Sequence, residues 1–204
     1  MVPPAIVLMG PTGSGKTPLG DILERRGLRG ARCVHFDFGA ELRAAADADG
    51  GAGCLSTKEH DVIVAALQAG ALLEDDEFHI AKKILMAFMV AEDVGRDTVV
   101  VLNGLPRHTG QARDLEALVR VEVVVTLECT PEVALERIRT NAGRDRTQRR
   151  DDTLQAVLAR LESFQERTLP LLEHYCRCGV RMILLDVGPR TTEVELFREL
   201  SSKA

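Results

Sequence analysis

The sequence predicts an α/β fold in which helices cover both faces of a doubly wound, parallel sheet of five strands. Five short apolar runs are continuous rather than alternating, as expected of strands that are buried on both faces. Helix-like segments separate these runs, and such alternation is typical of parallel sheets. The first run also passes directly into a glycine-rich loop and then a helix. Because ligands of such sheets bind beyond the carboxyl ends of the strands, we expect the site at that edge.

The predicted elements follow from runs of Val, Leu, Ile and Ala and from helical periodicity between them. The strands are predicted at residues 5–9, 33–36, 98–102, 121–127 and 182–185. The helices are predicted at residues 19–26, 58–69, 76–94, 111–119, 131–140 and 153–175. Thr130 before Pro131 is a favourable helix start, and Gly27 suits the position just after a helix end.

Two stretches interrupt this alternation within what we expect to be a single domain, residues 1–204. Residues 40–73 contain helical patterns and no predicted strand. Residues 141–152 are short, polar and rich in arginine. Both are predicted to be mobile lobes inserted over the carboxyl edge of the sheet, the second as a short lid.

The composition limits the classes of function. Of the 204 residues, 45% are hydrophobic but only 3% are aromatic, and the net charge is −5, which gives no case for binding nucleic acid or a membrane. The five cysteines form no C-x-x-C pair, so a zinc ribbon is not expected. Cys33 and Cys129 lie in apolar runs and are expected to be buried thiols. Cys176 and Cys178 are interpreted as free thiols at a helix end in preference to a redox pair. With no signal peptide, membrane span or marked interface, we expect a cytoplasmic monomer.

The loop after the first strand carries the strongest motif. Residues 10–17 read Gly-Pro-Thr-Gly-Ser-Gly-Lys-Thr and fit the P-loop pattern G-x-x-x-x-G-K-[ST] at every fixed position. Glycines let successive backbone N–H groups point into one concavity, and the helix N-terminus and the lysine add positive charge. A polyphosphate is the expected guest. The predicted phosphate-binding residues are Gly10, Gly13, Ser14, Gly15, Lys16 and Thr17.

Arginines at several separated places indicate a transfer reaction rather than binding alone. Phosphoryl transfer needs positioned phosphates, a metal ion and cations that neutralise the moving group. Arg107 is the most informative of them, because a Gly-x-Pro turn directly after a core strand bends the chain at the ligand edge. The arginines with this placement are Arg43, Arg107, Arg137, Arg149 and Arg160.

Short motifs then follow in order along almost the whole chain. The first half has Phe-Gly-Ala-Glu-Leu-Arg at 38–43, Gly-Ala-Leu-Leu at 70–73 and Asn-Gly-Leu-Pro-Arg at 103–107, with Gln111 four residues further on. The second half has Glu-Arg-Ile at 136–138, Arg-Arg-Asp-Asp at 149–152, Arg-Leu at 160–161, Pro-Leu-Leu at 170–172 with Tyr175, and Gly-Pro-Arg at 188–190.

In this order and spacing the motifs resemble those of the adenylate kinase family of nucleoside monophosphate kinases, from residue 6 to about 190. They are similar to its T-G-D-x-L-R, G-x-L-V, D-G-F-P-R and D-R-I segments, its R-x-D-D after the lid, and its P-L-x-x-Y-Y helix ending. The resemblance implies ATP and Mg²⁺ as cofactors and a nucleoside monophosphate as the acceptor. It also implies that residues 40–73 bind the monophosphate and that residues 141–150 form the lid.

The resemblance further implies a role for each matching residue. The residues implied in catalysis are Lys16, Arg107, Arg149 and Arg160, the last two closing over the moving phosphoryl group. The ATP side comprises the P-loop, Arg137 against the adenine and Arg190 in the last loop. The acceptor side comprises Phe38, Gly39, Arg43, Leu73, Gly104, Arg107 and Gln111, of which Arg43 and Arg107 hold the phosphate.

Several positions depart from the family pattern. Asn103 stands where the family has the Asp that orders water on Mg²⁺, and a neutral amide holds a hydrated metal more weakly. Asp37, at the end of the second strand, either substitutes for it or only caps the following helix. Thr17 supplies a hydroxyl suited to the metal, so the predicted metal residues are Thr17, Asn103 and Asp37. Phe38 replaces a Thr beside the acceptor base, and Asn141 replaces a lid arginine.

These features leave three hypotheses. The first is an ATP-dependent nucleoside monophosphate kinase with AMP as acceptor, since Gln111 favours a purine. The second is a small-molecule kinase of the shikimate type, in which Asp37 would bind the acceptor. The third is a nucleotide-binding regulator with little turnover, which the changes at Phe38, Asn103 and Asn141 would explain.

Overall fold

The central sheet has five parallel strands in the order β2-β3-β1-β4-β5. The computed structural model describes residues 2–47, 55–71, 73–145 and 153–204. The strands are β1 (Pro4–Met9), β2 (Cys33–Asp37), β3 (Val99–Asn103), β4 (Arg120–Glu128) and β5 (Arg181–Asp186). The doubly wound α/β fold is therefore confirmed, and each predicted strand is correct to within one residue at either end.

Helices connect the strands and pack on both faces of the sheet. They are α1 (Lys16–Arg26), α2 (Phe38–Asp47), α3 (Thr57–Ala69), α4 (Phe78–Ala91), α5 (Thr109–Leu115), α6 (Pro131–Thr140), α7 (Leu154–Ser163), α8 (Pro170–Arg177) and α9 (Glu193–Lys203). A 3₁₀ turn at Asp75–Glu77 precedes α4. Between β2 and α4 the described residues form α2, α3 and this turn.

The long helix predicted at residues 153–175 forms, but a wider helical turn divides it into two α-helical parts. The chain forms α7, then a π-helix (Phe164–Thr168), then α8. Pro170 lacks the N–H that a continuous helix needs, and its ring clashes with the carbonyl one turn earlier. The wider turn accommodates this break, with the N–H of Leu169 bonding the carbonyl of Phe164 at 2.9 Å.

The core explains why the strands read as continuous apolar runs. On β1, Ala5, Val7 and Met9 pack into one hydrophobic cluster, while Ile6 and Leu8 pack into another on the opposite face. Successive strand side chains point to opposite faces, so a strand covered on both sides needs apolar residues throughout. The first cluster draws on α2, α3, α4, α5 and α8, and the second on α1 and α9. The carboxyl ends of β1, β2 and β3 are left facing one edge.

Two predicted helix ends are confirmed, and of the two thiols expected to be buried Cys33 is buried while Cys129 is half-buried. The hydroxyl of Thr130 accepts from the N–H of Val133 at 3.3 Å, and Gly27 lies at φ 68 after α1. Burial raises the pKa of the Cys33 thiol to about 11.

No helix in the described ranges is long and apolar enough to cross a bilayer.

A charged cluster holds the start of α3. Both carboxylate oxygens of Glu59 accept from Lys83, at 2.7 and 2.9 Å, and one also accepts from the backbone N–H of Ser56 at 2.8 Å. These bonds favour the ionised form, the one to Lys83 most, and lower the pKa of Glu59 from 4.5 to about 2. The stability that they add is therefore present above pH 4.5 and is lost as the pH falls towards 2.

Glu59→Gln is expected to lower the free energy of unfolding at pH 7 and to flatten its decline between pH 4.5 and 2. Urea unfolding at several pH values measures this. Asp61→Asn, an exposed change on the same helix, is the control and should leave the decline intact. Parallel pH curves for Glu59→Gln and the unmodified protein would contradict the assignment.

Candidate active site

The P-loop adopts a conformation that its glycines alone permit. Gly13 lies at φ 86, and a Cβ added there would be 2.8 Å from the carbonyl oxygen of Ala134 on α6. Helix α1 begins at Lys16, so its N-terminal end faces the loop. The ammonium of Lys16 donates to the carbonyls of Gly10 at 2.7 Å and Pro11 at 2.8 Å. The loop thus gathers backbone N–H groups, a helix terminus and a lysine charge, which is the donor set of a polyphosphate site.

Ser14 is a buried polar residue within this loop. It is fully buried, and among the described residues its hydroxyl has no hydrogen-bond partner. A buried hydroxyl without a partner costs about 1–3 kcal/mol. Because the hydroxyl has no exposed surface in this conformation, it does not contact the phosphate position directly.

Three polar side chains meet where β2 and β3 end beside α1. Asp37 and Asn103 are paired in the strand register. The hydroxyl of Thr17 donates to Asp37 Oδ2 at 2.7 Å, and Asn103 Nδ2 donates to the same oxygen at 2.9 Å and to Thr17 Oγ1 at 3.0 Å. Asp37 Oδ1 accepts from the backbone N–H of Ala40 at 3.0 Å, which also caps α2. The carboxylate therefore both starts a helix and faces the P-loop.

One cleft, with a cavity volume of about 210 Å³, brings most of the predicted site residues together. It lies beyond the carboxyl ends of β1, β2 and β3, between the P-loop, α2, α3 and α7. The predicted residues that line it are Gly10, Gly13, Gly15, Lys16, Thr17, Asp37, Gly39, Arg43, Asn103, Gly104, Arg107 and Arg160. Arg149 falls outside the described residues.

Arg107 reaches the cleft from the turn after β3. Its Nε donates to the carbonyl of Gly104 at 2.8 Å, and its guanidinium carbon lies 6.0 Å from the centre of the Phe38 ring. The hydroxyl of Thr168, on the π-helix, donates to the carbonyl of Arg107 at 3.0 Å. The turn and the π-helix together therefore hold the arginine at the cleft wall.

Three predicted acceptor residues lie beneath the cleft instead of lining it. Phe38, Leu73 and Gln111 are buried, Gln111 completely. The Gln111 amide nitrogen donates to the carbonyl of Leu73 at 2.9 Å, and its oxygen accepts from the backbone N–H of Arg107 at 2.9 Å. In this conformation Gln111 connects residue 73 to the arginine turn.

Two predicted ATP-side residues lie at the last loop. Arg137 is buried, and its guanidinium donates to the carbonyls of Gly13 at 3.0 Å, Gly188 at 2.9 Å and Thr191 at 2.8 Å. Burial lowers its pKa. Arg137 thus ties the P-loop to the loop between β5 and α9, where Arg190 is exposed.

The sequence reasoning missed several residues that line the cleft. Among them are Asp145 and three residues of α7 and the π-helix, Ser163, Phe164 and Thr168. Pro170 could have signalled the last three, because a proline inside a helical pattern predicts a break, and π-helical turns are frequent at functional sites.

Comparison with known proteins agrees with this geometry. Residues 6–158 match, and belong to, the family described as AAA domain. The chain is 31% identical over 189 residues to an adenylate kinase of Stenotrophomonas maltophilia (strain K279a), which covers 90% of this chain and 91% of the relative. It is 30% identical over 217 residues to an adenylate kinase of Methylorubrum extorquens, covering 97% and 98%. A solved gluconokinase from Sinorhizobium meliloti 1021 shares the fold, with a TM-score of 0.50, 19% identity and coverage of 98% and 90%.

The P-loop, the parallel sheet and these relatives define a P-loop kinase, an enzyme that transfers a phosphoryl group. Within that class the chain belongs to the adenylate kinase family, as its motifs predicted. These relatives support a nucleotide kinase.

Proposed function

We propose that the protein transfers the γ-phosphoryl group of ATP to a nucleoside monophosphate, with AMP as the preferred acceptor. The observation that carries this proposal is the convergence of Arg43, Arg107 and Arg160 with the P-loop in one cleft. These arginines come from α2, the turn after β3 and α7. Cations on three sides of a polyphosphate loop suit a reaction in which two phosphate-bearing substrates meet.

On the ATP side, the P-loop backbone and Lys16 would hold the β- and γ-phosphates. Lys16 now bonds carbonyls of its own loop, and a phosphate oxygen would offer it a stronger, charged acceptor. Arg137 would shape the adenine pocket by fixing the last loop to the P-loop, and Arg190 would border the base from that loop.

On the acceptor side, Arg43 and Arg107 would bind the monophosphate, with Gly39 and Gly104 leaving room beside them. Gln111 braces residue 73 and the arginine turn in this conformation. For its amide to contact a purine, the segment at Leu73 must move. Closure of residues 40–73 and 141–152 over the cleft would supply that movement and exclude water; Arg149 would then act from the lid.

Mg²⁺ is the metal that the donor set fits. Thr17 Oγ1 and Asp37 Oδ2 are adjacent oxygens at the P-loop, and Mg²⁺ prefers oxygen ligands together with substrate phosphates. Asn103 turns its amide nitrogen, a donor, towards both of them. We therefore assign Thr17 and Asp37 to the metal and its waters, and give Asn103 the role of holding Asp37 in place. When bound, the ion would neutralise charge on the transferring phosphate.

This chain differs from the family pattern in the position of the carboxylate at the metal site proposed here. Where the family motif has a carboxylate at the end of β3, this chain has Asn103, and its carboxylate stands one strand away at Asp37. The site keeps one negative charge at nearly the same place, because the two residues are register partners.

A second candidate is a kinase of a small hydroxylated molecule, and Asp37 is the observation that favours it. Its carboxylate lines the cleft next to Gly39 and Arg43, where it could accept a hydroxyl proton from an acceptor without phosphate. In the first candidate Asp37 serves the metal, and in the second it binds the acceptor. The two are distinguished by whether Asp37→Asn changes the Mg²⁺ requirement or the acceptor's KM.

The test is an acceptor panel. ADP formation from ATP and Mg²⁺ is measured with AMP, GMP, CMP, UMP, dTMP, shikimate and gluconate, with Lys16→Ala as background. Lys82→Ala, an exposed change on α4, controls for the loss of a lysine. We expect AMP to give the highest turnover and Lys82→Ala to match the unmodified protein. Turnover with shikimate or gluconate alone would favour the second candidate, and no acceptor-dependent turnover above Lys16→Ala would refute both.

A further inference from the structure

We propose that Asp21 and His35 form a positioning pair that fixes the amide of Asn103 and, through it, the carboxylate of Asp37. The consequence for turnover rests on the proposed function, in which Asp37 belongs to the metal site. The arrangement of the pair itself does not.

The imidazole of His35 lies directly beneath the site. His35 is two residues before Asp37 on β2, and residues at this spacing share one face of a strand. Its side chain is only 4% exposed, and Nδ1 lies 2.9 Å from Asp21 Oδ1 on α1. A Cβ at Gly20 would lie 2.2 Å from His35 Nε2, so the ring packs against the backbone of α1 where only glycine leaves space. The ring is therefore held between helix and strand.

The partner of each ring nitrogen determines where the proton lies. The Asp21 carboxylate only accepts hydrogen bonds, so in the neutral ring Nδ1 carries the proton and Nε2 presents a lone pair. Nε2 lies 3.4 Å from Asn103 Nδ2, a donor. The neutral Nδ1–H tautomer is thus the one that matches both neighbours.

The same logic sets the direction of the Asn103 amide. Its nitrogen faces the Nε2 lone pair of His35 and the carboxylate of Asp37 at 2.9 Å. Turned around, the amide oxygen would face two acceptors, and the contacts would be repulsive. The Nε2–H tautomer, in contrast, would set a donor against a donor and push the amide away from Asp37.

Asp21 therefore determines which ring nitrogen of His35 carries the proton. The ring in turn orients the amide of Asn103, and the amide holds the carboxylate of Asp37 at the P-loop. Partners of this kind, one layer behind a metal ligand, typically change metal affinity or activity by about 10–100-fold when removed. A pair that only fills space would leave the direction of the amide, and the need for Mg²⁺, unaffected.

The first experiment reads the tautomer in the metal-free, full-length protein. Nitrogen-15 chemical shifts of the histidine rings distinguish a protonated from an unprotonated ring nitrogen. We expect His35 to be the Nδ1–H tautomer in the unmodified protein and to become a mixture in Asp21→Asn, because an amide can donate as well as accept. Glu24→Gln is the matched control: Glu24 is also on α1 but accepts from the backbone N–H of His35, at 3.0 Å. An Nε2–H ring in the unmodified protein, or a tautomer unchanged in Asp21→Asn, overturns the proposal.

The second experiment measures the Mg²⁺ concentration for half-maximal turnover. His35→Leu removes the acceptor and should raise this concentration about 10-fold, the lower end for such partners. His35→Gln keeps an acceptor oxygen near the position of Nε2 and should restore most of the loss, and Glu24→Gln should change nothing. Equal Mg²⁺ requirements in His35→Leu and His35→Gln would refute the proposal even if both fold. If the unmodified protein turns over no acceptor, the proposed function fails, while the tautomer still decides the positioning pair.

Discussion

Arg107→Ala is expected to reduce turnover by about 10³–10⁵-fold, the range for losing an arginine that stabilises a transferring phosphoryl group. The side chain lines the cleft opposite the P-loop, and its turn is held by Gly104, Gln111 and Thr168. Because it would contact the acceptor's phosphate as well as the moving group, both kcat and KM for the acceptor should change. The loss should be larger in kcat, since the charge grows in the transition state.

Two variants make this prediction specific. Arg107→Lys keeps the charge but not the planar fork that binds two phosphate oxygens, so it should retain only part of the activity. Arg113→Ala removes an exposed arginine from α5, six residues away, and should leave the kinetics unchanged. Thermal unfolding checks that Arg107→Ala still folds after losing its bond to Gly104. A folded Arg107→Ala with kcat within about tenfold of the unmodified protein would remove the residue from the proposed machinery.

The sheet could be predicted from the sequence because local pattern and tertiary burial agree along it. Ile6 and Val7 lie on opposite faces of β1 and are both apolar, as expected of a strand that is buried on both sides. The P-loop could be predicted equally well, since Gly10, Gly15 and Lys16 stand at the fixed positions of its pattern.

What could not be predicted depends on contacts between distant segments. Gln111 matches a family position by spacing, yet its amide lies buried between Leu73 and Arg107, a placement that only the packing of α5 determines. Asn103 could be recognised as a departure, but not the direction of its amide, which follows from His35 and Asp37.

Some of the missed features did leave a trace in the sequence. Asp21 is four residues after Thr17, so both lie on one face of α1, and His35 shares a strand face with Asp37. Taken together, these spacings would have placed a carboxylate and an imidazole behind the proposed metal site. Pro170 carried a similar signal for the π-helix at the cleft.

The second large effect is expected from removing the carboxylate at the end of β2. Asp37→Asn is expected to raise the Mg²⁺ concentration for half-maximal turnover by about 100-fold, the upper end for groups that orient a metal. Asn103→Asp alone sets two carboxylates where donor and acceptor are now 2.9 Å apart. Their repulsion raises the pKa of one of them and should lower Tm without metal, and added Mg²⁺ should restore it.

The double variant Asp37→Asn, Asn103→Asp tests whether the two positions are interchangeable. It returns the carboxylate to the end of β3 and leaves an amide on β2, with the same net charge as the unmodified pair. We expect it to recover most of the Mg²⁺ affinity that Asp37→Asn loses, so that the two changes are strongly non-additive. If Asp37 instead binds a hydroxyl of the acceptor, Asp37→Asn will raise the acceptor's KM at saturating Mg²⁺, and the second substitution will not rescue it. That outcome would favour the small-molecule kinase over the nucleoside monophosphate kinase. A carboxylate that serves the metal is expected to work from either strand, whereas one that binds the acceptor is not.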